Sequence, residues 1–167
     1  MGKYWLWGFV YIAILLICAF ALTLPPVFQK VEPTEYGKLT DLEKQGLRVY
    51  LREGCYYCHT MMVHTDKTDA EYWGMGRESK VGDYTTFEPN ALGSQRIGPD
   101  LTYVADRVPE DDDWWIRRIT DPRSITPTSI MPPFKHLSQQ DLRALIAFLK
   151  SRKNPEMKQV EGEKWSE

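Results

Sequence analysis

The stretch GCYYCHT holds Cys55, Cys58 and His59, three side chains that bind metals or take part in redox chemistry. Such a cluster serves as a redox dithiol, as half of a zinc site, or as an attachment site for haem. A structural zinc site usually takes four protein ligands, and the sequence has no second pair of cysteines with this spacing. The order Cys-x-x-Cys-His is the attachment pattern of c-type haem, and it therefore predicts haem c.

The spacing of this motif has a chemical reason. Two cysteines three residues apart in a helical turn can each form a thioether with one of the two vinyl groups of a porphyrin. The adjacent histidine then lies under the iron as an axial ligand, so that one more side chain completes the coordination. We therefore expect one covalent haem c, bound through Cys55 and Cys58, with His59 on the iron.

The second axial ligand must come from elsewhere in the chain. Met61, Met62 and His64 follow the haem motif too closely to reach the opposite face of the ring. Met131 is the favoured candidate, because it lies in the loop TPTSIMPPFKHLS, whose prolines make it stiff enough to hold a thioether against iron. His136 in the same loop is the main alternative.

The N-terminal residues predict a membrane helix. Residues 4–24 carry no charge, and this length is enough to cross a bilayer as a helix. Pro25 and Pro26 are predicted to end that helix. Lys3 is the only charged residue before the span, which favours a cytoplasmic N-terminus. We therefore expect a transmembrane anchor over residues 1–26.

A cleaved export signal is the alternative interpretation, because AFA at residues 19–21 resembles a cleavage site. Under both interpretations, the rest of the chain is exported across the membrane. We expect residues 27–39 to form a linker and the haem domain to lie on the periplasmic, outer side of a bacterial inner membrane. The net charge of −2 gives no electrostatic basis for binding nucleic acid.

Three helices are predicted to frame the haem in a domain over residues 40–153. The first lies in LTDLEKQGLRVYLREGC and opens with the capping-box pair Thr40 and Glu43. Gly46 is a poor helix former inside this segment, so a close contact with another helix is one explanation and a surface flaw is the other.

The second helix is predicted in EDDDWWIRRIT, with its acidic residues at the positive end of the helix dipole. The third lies in LSQQDLRALIAFLKSRK, where Ser138 is the expected N-cap and apolar residues recur at helical spacing. Arg152 and Lys153 are expected to complement its C-terminal dipole. Residues 154–167 are polar and are predicted to form a loose tail.

These motifs together carry a family resemblance. The order of helix, Cys-x-x-Cys-His, GPDL, helix, methionine loop and terminal helix resembles an all-α, class I cytochrome c domain. More narrowly, GCYYCHT, GSQRIGPDL, DPRSITPTSIMP and the single anchor resemble the membrane-bound mono-haem subunit, subunit II, of C-family, cbb3-type cytochrome c oxidases. The resemblance covers nearly all of residues 1–152. It implies a subunit that takes electrons from another c-type cytochrome and passes them to a polytopic haem–copper catalytic subunit.

The resemblance also implies roles for three further residues. The carbonyl group of Pro99 is expected to turn toward the proximal histidine and orient its ring. Arg96 matches a basic residue near the haem propionates. Ser94 matches a position that can approach a calcium ion at the interface with the catalytic subunit. The stretch after the haem motif departs from the family pattern, and we expect it to touch partner subunits.

The histidine and cysteine content limits what this chain can do alone. A haem–copper oxygen site needs several histidines, and only His64 and His136 remain beyond His59. A binuclear copper site needs a pair of cysteines, and only Cys18 remains beyond the haem motif. We therefore predict a one-electron carrier without an oxygen-reducing centre. The small subunit of a nitric oxide reductase and a free-standing membrane-anchored cytochrome c are alternatives, and a haem gas sensor is less favoured.

Overall fold

The computed structural model describes residues 2–156, and every regular element within that range is helical. The prediction of an all-α chain with one apolar N-terminal helix is therefore confirmed. The chain divides into two compact units, of which the first ends at Glu32 and the second begins at Pro33. The finer boundaries predicted at residues 26, 39 and 153 stay predictions.

Helix α1 spans Gly2–Phe28 and forms the regular part of the first unit. Its residues Tyr4–Phe28 have a mean hydropathy of 2.4 over the most apolar window, so the helix is long and apolar enough to cross a membrane. The prediction that Pro25 and Pro26 end the helix is wrong, because both lie inside its last turn. A proline ring fixes a φ value that a helix already uses, so the two rings remove hydrogen bonds there without reversing the chain.

Helix α2 spans Asp41–Arg52 and begins at the predicted capping box. The Thr40 N–H donates to Oε2 of Glu43 at 2.7 Å, and the Glu43 N–H donates to Oγ1 of Thr40 at 3.4 Å. Both residues thus satisfy backbone donors that the first helical turn leaves free. The prediction of a helix that leads into the haem motif is confirmed.

Helix α4 spans Gln139–Lys150 and packs across α2. Its predicted N-cap is present, because Oγ of Ser138 accepts the Asp141 N–H at 3.1 Å. At the crossing, a β-carbon added to Gly46 would overlap the carbonyl oxygen of Ala144 and lie 2.5 Å from the β-carbon of Phe148. The close helix contact considered for Gly46 is therefore confirmed. The apolar residues buried around this crossing are Leu47, Tyr50, Leu145, Phe148 and Leu149.

Helix α3 spans Asp112–Thr120, within the stretch predicted to be helical. Asp111 caps it, since its carboxylate accepts the N–H groups of Asp113 at 3.3 Å and Trp114 at 3.0 Å. The acidic residues therefore lie at the positive end of the helix, as predicted. Trp115 and Ile119, four residues apart, are the buried face of this helix.

The chain after α4 turns inward, which the sequence pattern does not predict. Arg152 is predicted to complement the C-terminal dipole of α4, yet its side chain is only 1% exposed. Its guanidinium carbon lies 4.3 Å from the ring centre of Tyr36 and 5.1 Å from that of Phe148. Its Nη1 donates to the carbonyl oxygen of Tyr36 at 3.1 Å. The ring faces of Tyr36, Phe87 and Phe148, together with this carbonyl group, compensate the buried charge.

The first residue of the segment predicted to be a loose tail contacts the domain. Asn154 is buried, and its N–H donates to Oδ2 of Asp106 at 2.7 Å, so the first residue of the predicted tail is fixed to the domain. The rest of that tail from residue 157 onward lies outside the described residues.

Candidate haem site

The haem motif lies directly after α2 in a short turn. Gly54 has a φ of 72°, a left-handed conformation that glycine adopts without strain, and it redirects the chain at the helix end. Residues Cys55–Tyr57 then form one turn of 3-10 helix. The N–H groups of Cys58 and His59 both donate to the carbonyl oxygen of Cys55, at 3.1 and 3.0 Å. This turn places both cysteines and the histidine together, and both thiols are free.

The His59 ring is held by the segment that contains Gly98 and Pro99. Nδ1 of His59 lies 2.7 Å from the carbonyl oxygen of Pro99, which can only accept a hydrogen bond. Nδ1 therefore carries the proton, which leaves Nε2 free as a lone-pair donor to a metal. A β-carbon on Gly98 would overlap Cε1 of the ring and lie 2.7 Å from Nδ1, so only glycine leaves space for the imidazole here.

Electrostatics also favour a neutral imidazole. Burial lowers the pKa of His59, the hydrogen bond to Pro99 opposes that effect, and the nearby positive charge of Arg118 lowers the pKa further. A neutral ring is the form that coordinates iron.

Gly93 brings a second segment against the haem motif. Its φ is 71°, and a β-carbon there would overlap the carbonyl oxygen of His59 and lie 3.0 Å from that of Tyr56. The backbone near residue 93 therefore lies directly on the backbone of the motif. Side chains at this position are excluded both by the left-handed conformation and by lack of space.

An apolar cavity of about 240 Å³ adjoins the motif. Cys55 and His59 lie on its wall, and Cys58, which is half-buried, does not line it. The cavity is also lined by residues of α3 and α4 and of the loop before α4. These other lining residues are Tyr50, Pro99, Leu101, Val104, Val108, Trp114, Trp115, Arg118, Ile119, Ile125, Thr126, Met131, Phe134, Leu145 and Leu149.

The two candidates for the second axial ligand differ in their surroundings. Met131 lines the cavity together with His59. His136 does not line it, because its side chain is 63% exposed and its Nε2 lies 2.7 Å from Oε2 of Glu53. The structure therefore brings the methionine to the cavity and pairs the histidine with a carboxylate outside it. His64 is also paired, with its Nδ1 2.5 Å from Oδ2 of Asp69.

The lining of this cavity fits a haem, which is a flat apolar ring with two carboxylate side chains. Trp115 is 3% exposed, and its indole N–H has no hydrogen-bond partner among residues 2–156. A buried donor without a partner is costly unless a ligand supplies an acceptor. Arg118 adds a positive charge to the same cavity, and its Nη1 donates to Oγ1 of Thr126 at 2.9 Å. An apolar cavity with these two donors suits an anionic porphyrin.

Trp115 and Arg118 line the cavity but are not among the residues predicted from the sequence motifs. Trp115, Arg118 and Ile119 are spaced so that they lie on one face of a helix, and this spacing could have identified Trp115 and Arg118 from the sequence. Their relation to the haem motif is not local, however, because it depends on how α3 packs in the folded domain.

Arg96 and Ser94 lie outside the lining of this cavity. Nη1 and Nη2 of Arg96 each donate to one carboxylate oxygen of Asp69 at 2.6 Å. Its Nε donates to Oγ1 of Thr60 at 2.7 Å, and Nη2 also donates to the carbonyl oxygen of Met62 at 2.8 Å. Its expected contact with a haem propionate stays a prediction. Ser94 is exposed, and residues 2–156 contain no group of three acidic, histidine or cysteine side chains that could hold a metal ion. Calcium binding near Ser94 also stays a prediction.

A helical domain with a Cys-x-x-Cys-His motif on the wall of an apolar cavity has the features of a cytochrome. The chain belongs to the family described as cytochrome c oxidase, mono-heme subunit/FixO, which matches residues 4–161. The resemblance inferred from the motifs is thereby confirmed. Membership implies a mono-haem subunit of a cytochrome c oxidase that takes part in electron transfer within a complex of oxidase subunits.

The chain is also similar to a protein named cytochrome c oxidase subunit 2, from Alkalihalophilus pseudofirmus (strain OF4). It is 27% identical to this chain over 122 residues, which make up 73% of this chain and 28% of the relative. The chain therefore spans little more than a quarter of the relative's length.

Proposed function

We propose that this chain is the electron-entry subunit of a respiratory haem–copper oxidase. It accepts single electrons from another c-type cytochrome and delivers them to a polytopic catalytic subunit. The observation that carries this proposal is the shared cavity, in which His59 of the haem motif and Met131 both line one apolar space. Membership in the mono-haem oxidase subunit family supports the same role.

Four residues of this chain would hold haem c. The thiols of Cys55 and Cys58 would form the two thioethers, and His59 and Met131 would bind the iron. The haem, when bound, supplies a one-electron iron couple, and ligation by histidine and methionine gives it a higher reduction potential than two histidines would. The chain therefore suits the oxidising end of a respiratory pathway.

The other cavity residues have supporting roles. The carbonyl group of Pro99 keeps the proton on Nδ1 of His59, which leaves the other ring nitrogen free to bind the iron of a haem. Trp115 would offer an N–H donor, and Arg118 a positive charge, to the propionates of a bound haem. The apolar side chains of the cavity would exclude water from the ring of a bound haem, which also favours a high reduction potential.

Oxygen reduction must then occur in a different subunit. The two histidines beyond the motif are each paired with a carboxylate, His64 with Asp69 and His136 with Glu53. Neither shares the cavity with His59. A haem–copper oxygen site needs several histidines around two metals, and the ones in this chain are neither numerous enough nor suitably placed. We propose that this chain transfers electrons without catalysing oxygen reduction.

Helix α1 would tether the haem domain to the membrane beside its partner. A tether replaces a diffusive encounter by a high effective concentration, which speeds repeated electron delivery. We propose a single pass through a bacterial inner membrane, with residues 33–156 on the periplasmic side. An intact mass that includes α1, and retention in the pellet after an alkaline carbonate wash, would support this arrangement.

Purification in a mild detergent tests the function directly. We expect this chain to retain one covalent haem on a denaturing gel and to co-purify with a polytopic haem–copper subunit, identified by mass spectrometry. The isolated chain should be reducible yet consume no oxygen. The double variant Cys55→Ala, Cys58→Ala is the matched control and should lose the haem stain. Co-purification with a nitric-oxide-reducing subunit, or isolation without any large partner, would contradict the proposal.

A further inference from the structure

Asp100 is a buried carboxylate that directly follows the residue contacting the His59 ring. It is 1% exposed, and its side chain accepts three hydrogen bonds. Oδ2 accepts the Thr60 hydroxyl at 2.6 Å and the Met62 N–H at 3.1 Å, and Oδ1 accepts the Thr102 N–H at 2.8 Å. Asp100 therefore joins its own segment to the segment that follows the haem motif.

Pro99 itself has no N–H group, so its neighbours must fix the position of its carbonyl group. The Gly98 N–H donates to the carbonyl oxygen of Cys58 at 2.8 Å, and the Leu101 N–H donates to that of Thr60 at 2.8 Å. These two backbone hydrogen bonds align residues 98–101 with residues 58–60. Asp100 adds side-chain hydrogen bonds between the same two segments.

Arg96 stabilises the negative charge of Asp100. Its Nη2 lies 3.8 Å from Oδ2 of Asp100, and its Nε donates to the same Thr60 hydroxyl that donates to Asp100. Asp69 in turn holds Arg96 through both of its carboxylate oxygens. Arg107 also donates to the backbone carbonyl oxygen of Asp100. The carboxylate is therefore both charge-compensated and fixed in its orientation.

We propose that Asp100 is a positioning residue that acts with Thr60 to aim the Pro99 carbonyl group at Nδ1 of His59. The hydrogen bond at Nδ1 sets the basicity and the orientation of a metal-ligating imidazole, so the Asp100 contacts act on the iron ligand through Pro99. This inference rests on the proposed function, because it takes His59 to be an axial ligand.

The exchange rate of the His59 ring N–H with solvent tests this role. It is measured by nitrogen-15 NMR on the full haem-loaded chain, reduced and in detergent. The test variant is Asp100→Asn, which has nearly the same shape but turns an NH₂ group toward at least one of the three donors. We expect exchange to become about tenfold faster, the factor expected when one hydrogen bond is weakened.

Asp83→Asn is the matched control. Asp83 is 0% exposed and accepts hydrogen bonds from Arg77, from the N–H of Lys80 and from the Thr34 hydroxyl, so it is as buried and as well paired as Asp100. It makes no hydrogen bond to residues 98–101 in the described part of the chain. Asp83→Asn should therefore lower stability and leave the exchange of the His59 proton within about twofold of wild type.

A second pair of variants keeps the test decisive if Asp100→Asn does not mature. Thr60→Val removes the hydroxyl that donates to Asp100 and accepts from Nε of Arg96, and it should speed ring-proton exchange by about threefold or more. Thr60→Ser keeps that hydroxyl and should retain the wild-type rate. Unchanged exchange in haem-loaded Asp100→Asn and Thr60→Val, or an equal change in Asp83→Asn, would overturn the positioning role. A wild-type chain that takes up no haem c would instead contradict the proposed function.

Discussion

Gly46 of α2 lies so close to Ala144 of α4 that a β-carbon on the glycine would overlap the alanine carbonyl oxygen. The backbones of the two helices are therefore in direct contact at the crossing. Tyr50, one turn after Gly46, and Leu145, next to Ala144, both line the cavity. The spacing of this crossing consequently fixes part of the wall of the proposed haem site.

Gly46→Ala should destabilise the folded domain. Alanine favours a helix over glycine by about 1 kcal/mol, but forcing apart two packed backbones costs about 1–3 kcal/mol or more. We expect the free energy of unfolding to fall by about 2 kcal/mol, because the clashing atoms belong to the backbone and cannot rotate away. Denaturant unfolding followed by the visible circular dichroism of the haem measures this. Arg48→Ala, exposed on the same helix, should change little, and equal stability of the two variants would contradict the packing argument.

Met131→Ala should remove the weak sulfur-to-iron absorption band at the red end of the spectrum. It should also lower the reduction potential, because a thioether stabilises the reduced iron. His136→Ala is the control, since its imidazole pairs with Glu53 outside the cavity. Redox titration and absorption spectroscopy of both variants provide the comparison. If the band survives in Met131→Ala and disappears in His136→Ala, the assignment of the second ligand is wrong.

Trp115→Phe tests whether the buried indole N–H meets a haem propionate. A hydrogen bond to a charged group contributes about 1.5–3 kcal/mol, so the haem-loaded variant should unfold more easily by about that amount. Trp114 is the neighbouring tryptophan and lines the same cavity, so Trp114→Phe is the control and should lower the free energy of unfolding less. Thermal and denaturant unfolding of both variants measures the difference. A Trp115→Phe chain as stable as wild type would show that the indole N–H has no partner in the loaded protein.

The Asp69–Arg96 pair should give the domain stability that acid removes. The hydrogen bonds from Arg96 hold the pKa of the Asp69 carboxyl well below its usual range, burial opposes this, and hydrogen bonds from His64 lower the pKa further. A carboxyl group with a lowered folded-state pKa contributes stability that is complete above the unfolded-state pKa of about 3.9. That stability is lost as the pH falls through the folded-state value.

Asp69→Asn should therefore lower the free energy of unfolding most near neutral pH. The difference in unfolding free energy between wild type and variant should shrink steadily as the pH is lowered from about 5, because wild type then loses the same contribution. Denaturant titrations at a series of pH values measure it. Glu71→Gln, a neighbouring exposed carboxylate, is the control and should show a small difference at every pH. A constant difference for Asp69→Asn would mean that the carboxylate charge is not what stabilises the fold.

Local features of the fold could be predicted from the sequence. The N-caps at Thr40 and Ser138 depend on residues three positions apart, and the haem motif is contained within five consecutive residues. The apolar length of α1 is equally local. Met131 could be selected because its proline-rich loop is recognisable without knowledge of the rest of the fold.

The remaining parts depend on contacts between distant segments. Arg96 meets Asp69 from 27 residues away. The carbonyl group of Pro99 meets His59 from 40 residues away, a contact that only the family resemblance predicts. Arg152 stacks on Tyr36 across 116 residues, although its position near a helix end suggested a role at the dipole. Neither helix propensity nor periodicity contains information about such pairs, because they form only when the segments pack together.

Electrons are proposed to reach the catalytic subunit through the haem of this chain, and stopped-flow reduction tests this route most directly. The assembled complex is mixed with its reduced c-type cytochrome donor, and the catalytic haems are followed by absorption. Wild type is compared with the Cys55→Ala, Cys58→Ala double variant, after native gels show that assembly persists. We predict that delivery from the donor becomes much slower in the variant while a small chemical reductant still reduces the catalytic haems. Delivery at the wild-type rate without this haem would contradict the account and leave the chain only a structural role.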